Sequence, residues 1–278
     1  SALLLRIAAC FLRGDNWPDG TPYIGPLGSV LWCEAEAAQA INLSRAKDWG
    51  LPLDKILAPL SNPLDDIMLD NPENLAAIYH LAERPDVPLV LLDSLRGGHS
   101  RDENSSELIS LVKGMASLAR DTGKPIIITH HLRKKGLMDS GSVISLDRLR
   151  GSTAIAQPAR VIWGIDIPDP GQKERRRLSV IKSNLAKFPT PIGLTWETTT
   201  GWNFGTAPEE PRRETLEDKC ADLLRVLLAN GKVLSTVVES EMEAAGLSYP
   251  AAKRAKEDLG VVAFKENGHW YWAFAARE

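Results

Sequence analysis

Residues 87–104, VPLVLLDSLRGGHSRDEN, constrain the fold of this chain more than any other stretch. Four consecutive apolar residues, Leu89, Val90, Leu91 and Leu92, run directly into Asp93 and Ser94. An apolar run of that length, between Pro88 and the Gly97–Gly98 pair, predicts a central strand of a parallel sheet buried on both faces. Open α/β sheets bind their ligands beyond the carboxyl ends of such strands. Asp93 therefore stands where a nucleotide site would place a metal-binding carboxylate. A strand-end Asp that merely caps the next turn accounts for it equally well, so its surroundings must decide.

With 278 residues the chain can build one large α/β domain and a small one. A net charge of −3 carries no global nucleic-acid signature, so any such contact must come from local patches. Cys10, Cys33 and Cys220 lie far apart in apolar periodic segments. They predict buried thiols in a reducing compartment rather than a disulfide or zinc framework. No apolar run reaches membrane-spanning length and the opening segment lacks a signal-peptide cleavage region, which predicts a cytoplasmic protein without membrane contact.

Taken in order, residues 2–13 have helical apolar spacing with Gly14 as the stop, and the turn-rich residues 15–28 form a loop. Residues 29–33 predict a short buried strand ending at Glu34-Ala35-Glu36, and residues 37–50 a helix. A helix over 74–83 delivers the chain to the apolar strand, and an amphipathic helix over 105–122 leaves it. Residues 124–129, KPIIIT, predict the next buried strand, ending in His130-His131. An aperiodic polar loop over 132–148 and a short helix over 150–159 follow, then strands at 161–165, 178–182 and 192–196. Strands alternating with helices, then strands in succession, predict an α/β sheet with an antiparallel extension. This core spans residues 1–204, and the Pro-rich, charged residues 205–214 form a linker. Residues 215–278 hold three helices and a β-hairpin around Glu266-Asn267-Gly268. That content predicts a small winged helix-turn-helix domain with residues 249–259 as its recognition helix.

Each candidate site residue has a plain structural reading. Glu36 fits a helix-start carboxylate, His130 and His131 a satisfied strand-end pair, Lys182-Ser183-Asn184 a strand-to-turn transition, and Arg150-Gly151-Ser152 a helix start. Their placement in one order at successive strand ends makes coincidence a poor explanation.

The pieces VLWCEAE, PLVLLDSLRGGHSRDEN, KPIIITHHLRKKG, RLRGSTAIAQPARVIW and VIKSNLAK, spread over about the first three quarters of the chain, resemble the RecA-like ATPases. Within these they resemble the hexameric plasmid-replication helicases and related phage and mobile-element ATPases. The resemblance implies a RecA-like, mostly parallel sheet flanked by helices, with ATP and Mg²⁺ as cofactors. Members carry GxxxxGK[ST], whose backbone cradles phosphates while the Lys reaches the terminal ones. Ser1, followed at once by an apolar helix, takes the place of the motif's last residue, which puts the glycines and Lys before the given sequence.

On that resemblance Ser1 and Asp93 hold Mg²⁺, with Ser94 beside them. Glu36 polarises the attacking water, with Glu34 as the alternative base, since strand alternation would put both on one face. His130 senses the terminal phosphate, with His131 next to it. Arg150 and Lys182, and more distantly Arg160, are the cations that would reach a neighbouring subunit's nucleotide. Such fingers imply a homo-oligomer, a hexameric ring in this group. Arg133, Lys134 and Lys135 occupy the place of a DNA-contacting loop, expected to take single-stranded DNA. In the small domain Lys253, Arg254 and Lys256 would grip DNA backbone, with Lys265 and His269 on the wing, although acidic residues there outnumber basic ones. Trp270 and Trp272 alternate on a strand and are expected in the core.

The sequence thus predicts an ATP-hydrolysing, DNA-dependent motor of a phage or mobile element. A nucleotide-switched DNA-binding regulator or replication initiator without motor activity is the rival, and a catalytically dead scaffold a third reading. Without a phosphate cradle the 278-residue chain is expected to bind ATP poorly. Titration with a fluorescent ATP analogue checks this, and tight binding would refute it.

Overall fold

The computed structural model describes residues 1–62, 64–100, 106–133, 144–149, 153–199, 201–211 and 215–275. Arg150, Lys134 and Lys135 lie outside them. Two compact units divide the chain, Ser1–Glu210 and Pro211–Glu278.

Helix α1 (Ala2–Arg13) opens the first unit and stops at Gly14, whose φ of 83° is the left-handed conformation that lets the Gly14 and Asp15 N–H groups reach the Cys10 and Ala9 carbonyls. Strand β1 (Val30–Glu34), helix α2 (Gln39–Asp48), the two-residue strand β2 (Ile56–Leu57) and helix α3 (Pro72–Glu83) follow. Asn71 caps α3 by accepting from the Glu73 and Asn74 N–H groups, and Pro72 fits the first turn. Strand β3 (Leu89–Asp93), helix α4 (Ser106–Thr122) and strand β4 (Ile126–Ile128) complete a parallel sheet of order β2-β1-β3-β4.

Alternate residues of β1 and β3 face opposite ways, and both faces are apolar. Leu31, Cys33, Val90 and Leu92 pack with α3 and α4 in one core. Val30, Trp32, Leu89 and Leu91 pack with α1 in the other. This is the burial on both faces that the apolar runs predict. The chain leaves β1 in one direction to β2 and returns past it to β3, so the strand order reverses between β1 and β3.

Helix α5 (Thr153–Ala156) precedes a separate antiparallel sheet. It consists of β5 (Val161–Asp166), β6 (Arg175–Ser183), β7 (Ile192–Glu197) and β8 (Gly201–Thr206), in that order. The expected extension of the parallel sheet is therefore corrected: among the described residues these strands form ladders only with one another. Strand β8 also carries the first unit past residue 204, because Gly193 and Ile192 go on pairing with Gly205 and Thr206. Leu178, Leu194 and Trp202 of this sheet pack on Ala2 and Leu3. That second contact explains why α1 is apolar nearly all round.

In the second unit the elements are α6 (Leu216–Leu227), β9 (Val233–Leu234), α7 (Ser235–Ala244), α8 (Tyr249–Asp258), β10 (Val261–Glu266) and β11 (His269–Phe274). Thr215 and Asp218 form a reciprocal capping box at α6. The hairpin turn places Asn267 and Gly268 at φ 49° and 85°, the double positive φ of a tight two-residue turn. Trp272 is buried, as expected, but Trp270 is 53% exposed: its pair with Lys265 lies next to the hairpin turn, outside the core that Trp272 joins.

Cys10, Cys33 and Cys220 are buried thiols without disulfides, and burial pushes Cys33 up to about 12. No helix among the described residues is long and apolar enough to cross a membrane.

Gly201 has φ 75°, and a Cβ there would meet the Trp49 ring at 2.5 Å. Gly201→Ala is expected to cost roughly 1–3 kcal/mol in chemical denaturation by detaching the start of β8 from Trp49.

Candidate functional site

Parallel pairing of β1 with β3 sets Glu34 opposite Asp93 at the point where the strand order reverses. The following loops are drawn together as well. The Ala35 N–H donates to the Asp93 carbonyl at 2.8 Å, and a Cβ on Gly97 would lie 1.8 Å from the Ala35 carbonyl oxygen. Only glycine permits that approach. Ile67 and Leu69 donate backbone hydrogen bonds to Glu34 and Gly98, tying the segment after β2 across the same end of the sheet.

The two glutamates are not equivalent. β1 ends at Glu34, and Ala37 turns the chain with φ 53°, so the alternation that would put both on one face does not reach Glu36. Glu34 is buried, and its oxygens accept from Trp32 Nε1 at 3.2 Å, Asn42 Nδ2 at 2.8 Å and the Glu36 N–H at 3.1 Å. An apolar cavity lined by Leu5, Trp32, Leu43, Ile56 and Leu60 lies against it. Burial, reinforced by the neighbouring Asp93, raises its pKa against the pull of those donors.

The Glu36 side chain is 36% exposed. Its Oε1 accepts a short hydrogen bond from Ser94 Oγ and lies 2.8 Å from His131 Nε2. Partial burial pushes its pKa up, but the Ser94 and His131 hydrogen bonds outweigh this and the net shift is downward. Glu34 is thus a buried anchor for the backbone of Glu36, whereas Glu36 is an ionised carboxylate held by two neighbours.

Asp93 is buried and its Ser94 peptide is cis. Thr129, at the end of β4, donates from Oγ1 to Asp93 Oδ1 at 2.6 Å. Asp93 Oδ2 is buried and accepts no side-chain hydrogen bond, and the Ser1 amino group makes an ion pair with it at 3.2 Å. A buried carboxylate oxygen that no side chain satisfies and that already faces a positive charge, beside a serine, is a hard oxygen ligand and fits a divalent cation such as Mg²⁺.

Ser1, Glu34, Glu36, Asp93, Ser94 and His131 therefore form one cluster, to which the structure adds Thr129. Residue type alone gives little warning of Thr129, because a Thr closing an apolar run is an ordinary strand former. His131 is the member of the histidine pair that meets Glu36; His130 is partly buried beside it. Lys182 is not at this end of the parallel sheet. It sits on β6 of the antiparallel sheet, and its Nζ donates to the Ala156 and Gln157 carbonyls at 2.8 and 3.2 Å, which corrects its expected place among successive strand ends. Arg160 is exposed. The Arg133 N–H donates to the Arg148 carbonyl, anchoring the start of the basic loop. On α8, Arg254 pairs with Glu217 at 2.6 Å and Lys256 lies 4.8 Å from the Trp272 ring centre, while Lys253 is exposed.

Residues 1–136 match the family described as AAA domain. That span runs from α1 through β4 and holds the whole cluster. Among solved structures, a KaiC-like protein from the hyperthermophilic archaeon Pyrococcus horikoshii is 13% identical, with a TM-score of 0.48 over 64% of this chain and 76% of that one. The RadB recombinase is 16% identical, with a TM-score of 0.44 over 63% of this chain and 78% of that one. A DnaB-like replicative helicase is 15% identical, with a TM-score of 0.49 over 73% of this chain and 55% of that one.

The opposite shifts of the two glutamates predict their order of titration. In a carboxyl-carbon NMR titration Glu36 is expected to take up its proton below the ordinary glutamate range and Glu34 above it. The native state therefore gains from Glu36 only above its unfolded-state value and loses this as pH falls through the folded one, while for Glu34 the gain lies on the acid side. The reverse order would refute this assignment.

Proposed function

We propose that the first unit is a RecA-like P-loop ATPase core and that the protein is a DNA-dependent motor, a helicase-like ATPase of a phage or mobile element. The observation that carries this reading is the placing of an ionised, partly exposed Glu36 near a buried Asp93 oxygen that no side chain satisfies, at the carboxyl ends of adjacent parallel strands. The AAA domain match over residues 1–136 supports it.

In this reading Ser1 and Asp93 hold Mg²⁺, which when bound offsets charge on the terminal phosphates. Water attacks the terminal phosphorus, the bond to the bridging oxygen breaks, and ADP and phosphate leave. Glu36 orients that water. Both hydrogen bonds to it fall on Oε1, so Oε2 is left to accept from the water and take its proton as the bond forms. Glu34 keeps the Glu36 backbone in place, and His131, with His130 beside it, is positioned to register the terminal phosphate. Arg150 and Lys182 would act on a neighbouring subunit's nucleotide in a homo-oligomer, a hexameric ring in the motor reading. Lys182 would first have to exchange its carbonyl partners for phosphate.

Arg133, Lys134 and Lys135 would contact single-stranded DNA. We read the second unit as a winged helix-turn-helix, with α8 as the recognition helix and Lys265 and His269 on the wing. Of its three α8 cations, Arg254 and Lys256 are already engaged within the unit. That engagement favours protein contact over DNA contact by the small domain; the second reading of the whole protein is a nucleotide-switched DNA-binding regulator or replication initiator without motor activity.

In the full natural protein Glu36→Gln is expected to lower ATP turnover by about 10²–10⁴-fold while nucleotide still binds. Strand displacement of a forked DNA separates the two readings: a motor unwinds it only with ATP, and a switch unwinds nothing. Unchanged turnover in Glu36→Gln would refute the assigned chemistry.

A further inference from the structure

Asp93 can serve a cation only if one of its oxygens is kept clear, and a carboxylate in a buried site would otherwise rotate to satisfy whichever donor is nearest. Thr129 removes that freedom. Its Oγ1 lies 2.6 Å from Asp93 Oδ1 and 3.4 Å from the Leu92 carbonyl. The hydroxyl has one proton, and the shorter, charge-assisted bond to Oδ1 takes it. The Thr129 backbone cannot drift either, because its N–H donates to the Leu92 carbonyl at 3.0 Å and its carbonyl accepts from the Leu95 N–H at 2.9 Å. These bonds clamp residue 129 onto both sides of the Asp93–Ser94 peptide. Oδ2 is then left buried without a side-chain hydrogen bond, facing the Ser1 amino group at 3.2 Å.

We infer that Thr129 is a positioning residue: it pins Oδ1 of Asp93 and so presents Oδ2 to the divalent cation that accompanies the nucleotide. This role rests on the nucleotide-site reading and adds to it a residue that neither the spacing of the motifs nor the resemblance singles out. Thr129 touches neither nucleotide nor cation in this role. The neighbouring hydroxyl of Ser94 cannot take its place, since that Oγ is spent on Glu36.

The test is binding of Mn²⁺, in place of Mg²⁺, to the full natural protein with ADP, followed by electron paramagnetic resonance without turnover. Partners of this kind typically alter metal affinity 10–100-fold, so Thr129→Val is expected to weaken Mn²⁺ binding by about tenfold or more. Thr129→Ser, which keeps the hydroxyl, should stay within about threefold of the parent. Thr129→Ala serves as the second hydroxyl-free variant should valine disturb folding, and thermal melts of all variants report on that directly. Asp93→Asn separates the levels. If it loses Mn²⁺ while Thr129→Val binds as the parent does, the role of Thr129 is overturned and the nucleotide site stands. If Asp93→Asn binds Mn²⁺ unchanged, both fall. A serine variant as weak as the valine one also overturns the inference, because the methyl group rather than the hydroxyl would then be what matters.

Discussion

The parallel pairing of β1 with β3 is the constraint on which the rest of the first unit depends. Five consecutive register pairs, from Val30↔Leu89 to Glu34↔Asp93, fix two strands that are buried along their whole length. Apolar burial of that kind stabilises the strands by roughly 1.5–3 kcal/mol for each large side chain. It also dictates what happens at the end of the run. The first polar residue on each strand must emerge at the same edge, next to its counterpart, so two carboxylates come together whatever their mutual repulsion costs. A core set by the hydrophobic effect thereby creates an electrostatic problem at its rim, and the loops beyond the strands resolve it.

They resolve it differently for each acid. Glu34 faces inward toward Trp32 and Asn42 and is answered with donors that a neutral or charged carboxyl can use. Asp93 receives one side-chain donor, on Oδ1, while Oδ2 faces the Ser1 amino group. Glu36, beyond the strand, is drawn to Ser94 and His131, so its charge is stabilised where water can still reach it. Close approach of the loops at Gly97 and Ala35 holds this division of roles in place. Glu34 and Asp93, each the first residue past its apolar run, thus differ in the donors they meet, and Glu36 differs from both by its distance beyond the last apolar residue.

That distance also marks what could be read from the residues in order. The apolar runs of β1, β3 and β4 were legible because burial on both faces leaves no polar position to confuse the pattern. Helix α1 was legible to the residue, since Gly14 ends it by a backbone conformation few other residues adopt. Strand β8 was not: glycines at 201 and 205 and the Thr at its end read as turn and linker, and only Trp202 and Phe204 mark it as sheet. Glu34 and Glu36 were inseparable because the strand's last residue is decided by its partner across the sheet, not by local pattern. Thr129 lies far from Asp93 in sequence, and β4 pairing alone brings them together. Lys182 reads as one more strand end, yet the strand belongs to another sheet, a matter of pairing that apolar spacing does not encode.

Helix α1 connects these levels. Its body is buried among Val30, Trp32, Leu89 and Leu91, which sets the helix axis against the two strands that carry the acids. Its first residues, Ala2 and Leu3, pack in addition on Leu178, Leu194 and Trp202 of the antiparallel sheet. Ser1 is therefore delivered to Asp93 by packing on two sides, not by a hydrogen bond of its own side chain. Close-packed interiors shift between discrete arrangements rather than yielding continuously. Displacing Ser1 from Asp93 consequently requires that α1 give up contacts with one sheet or the other. The antiparallel sheet, although it contributes no described residue to the acidic cluster, is in this way part of what fixes the cluster's geometry.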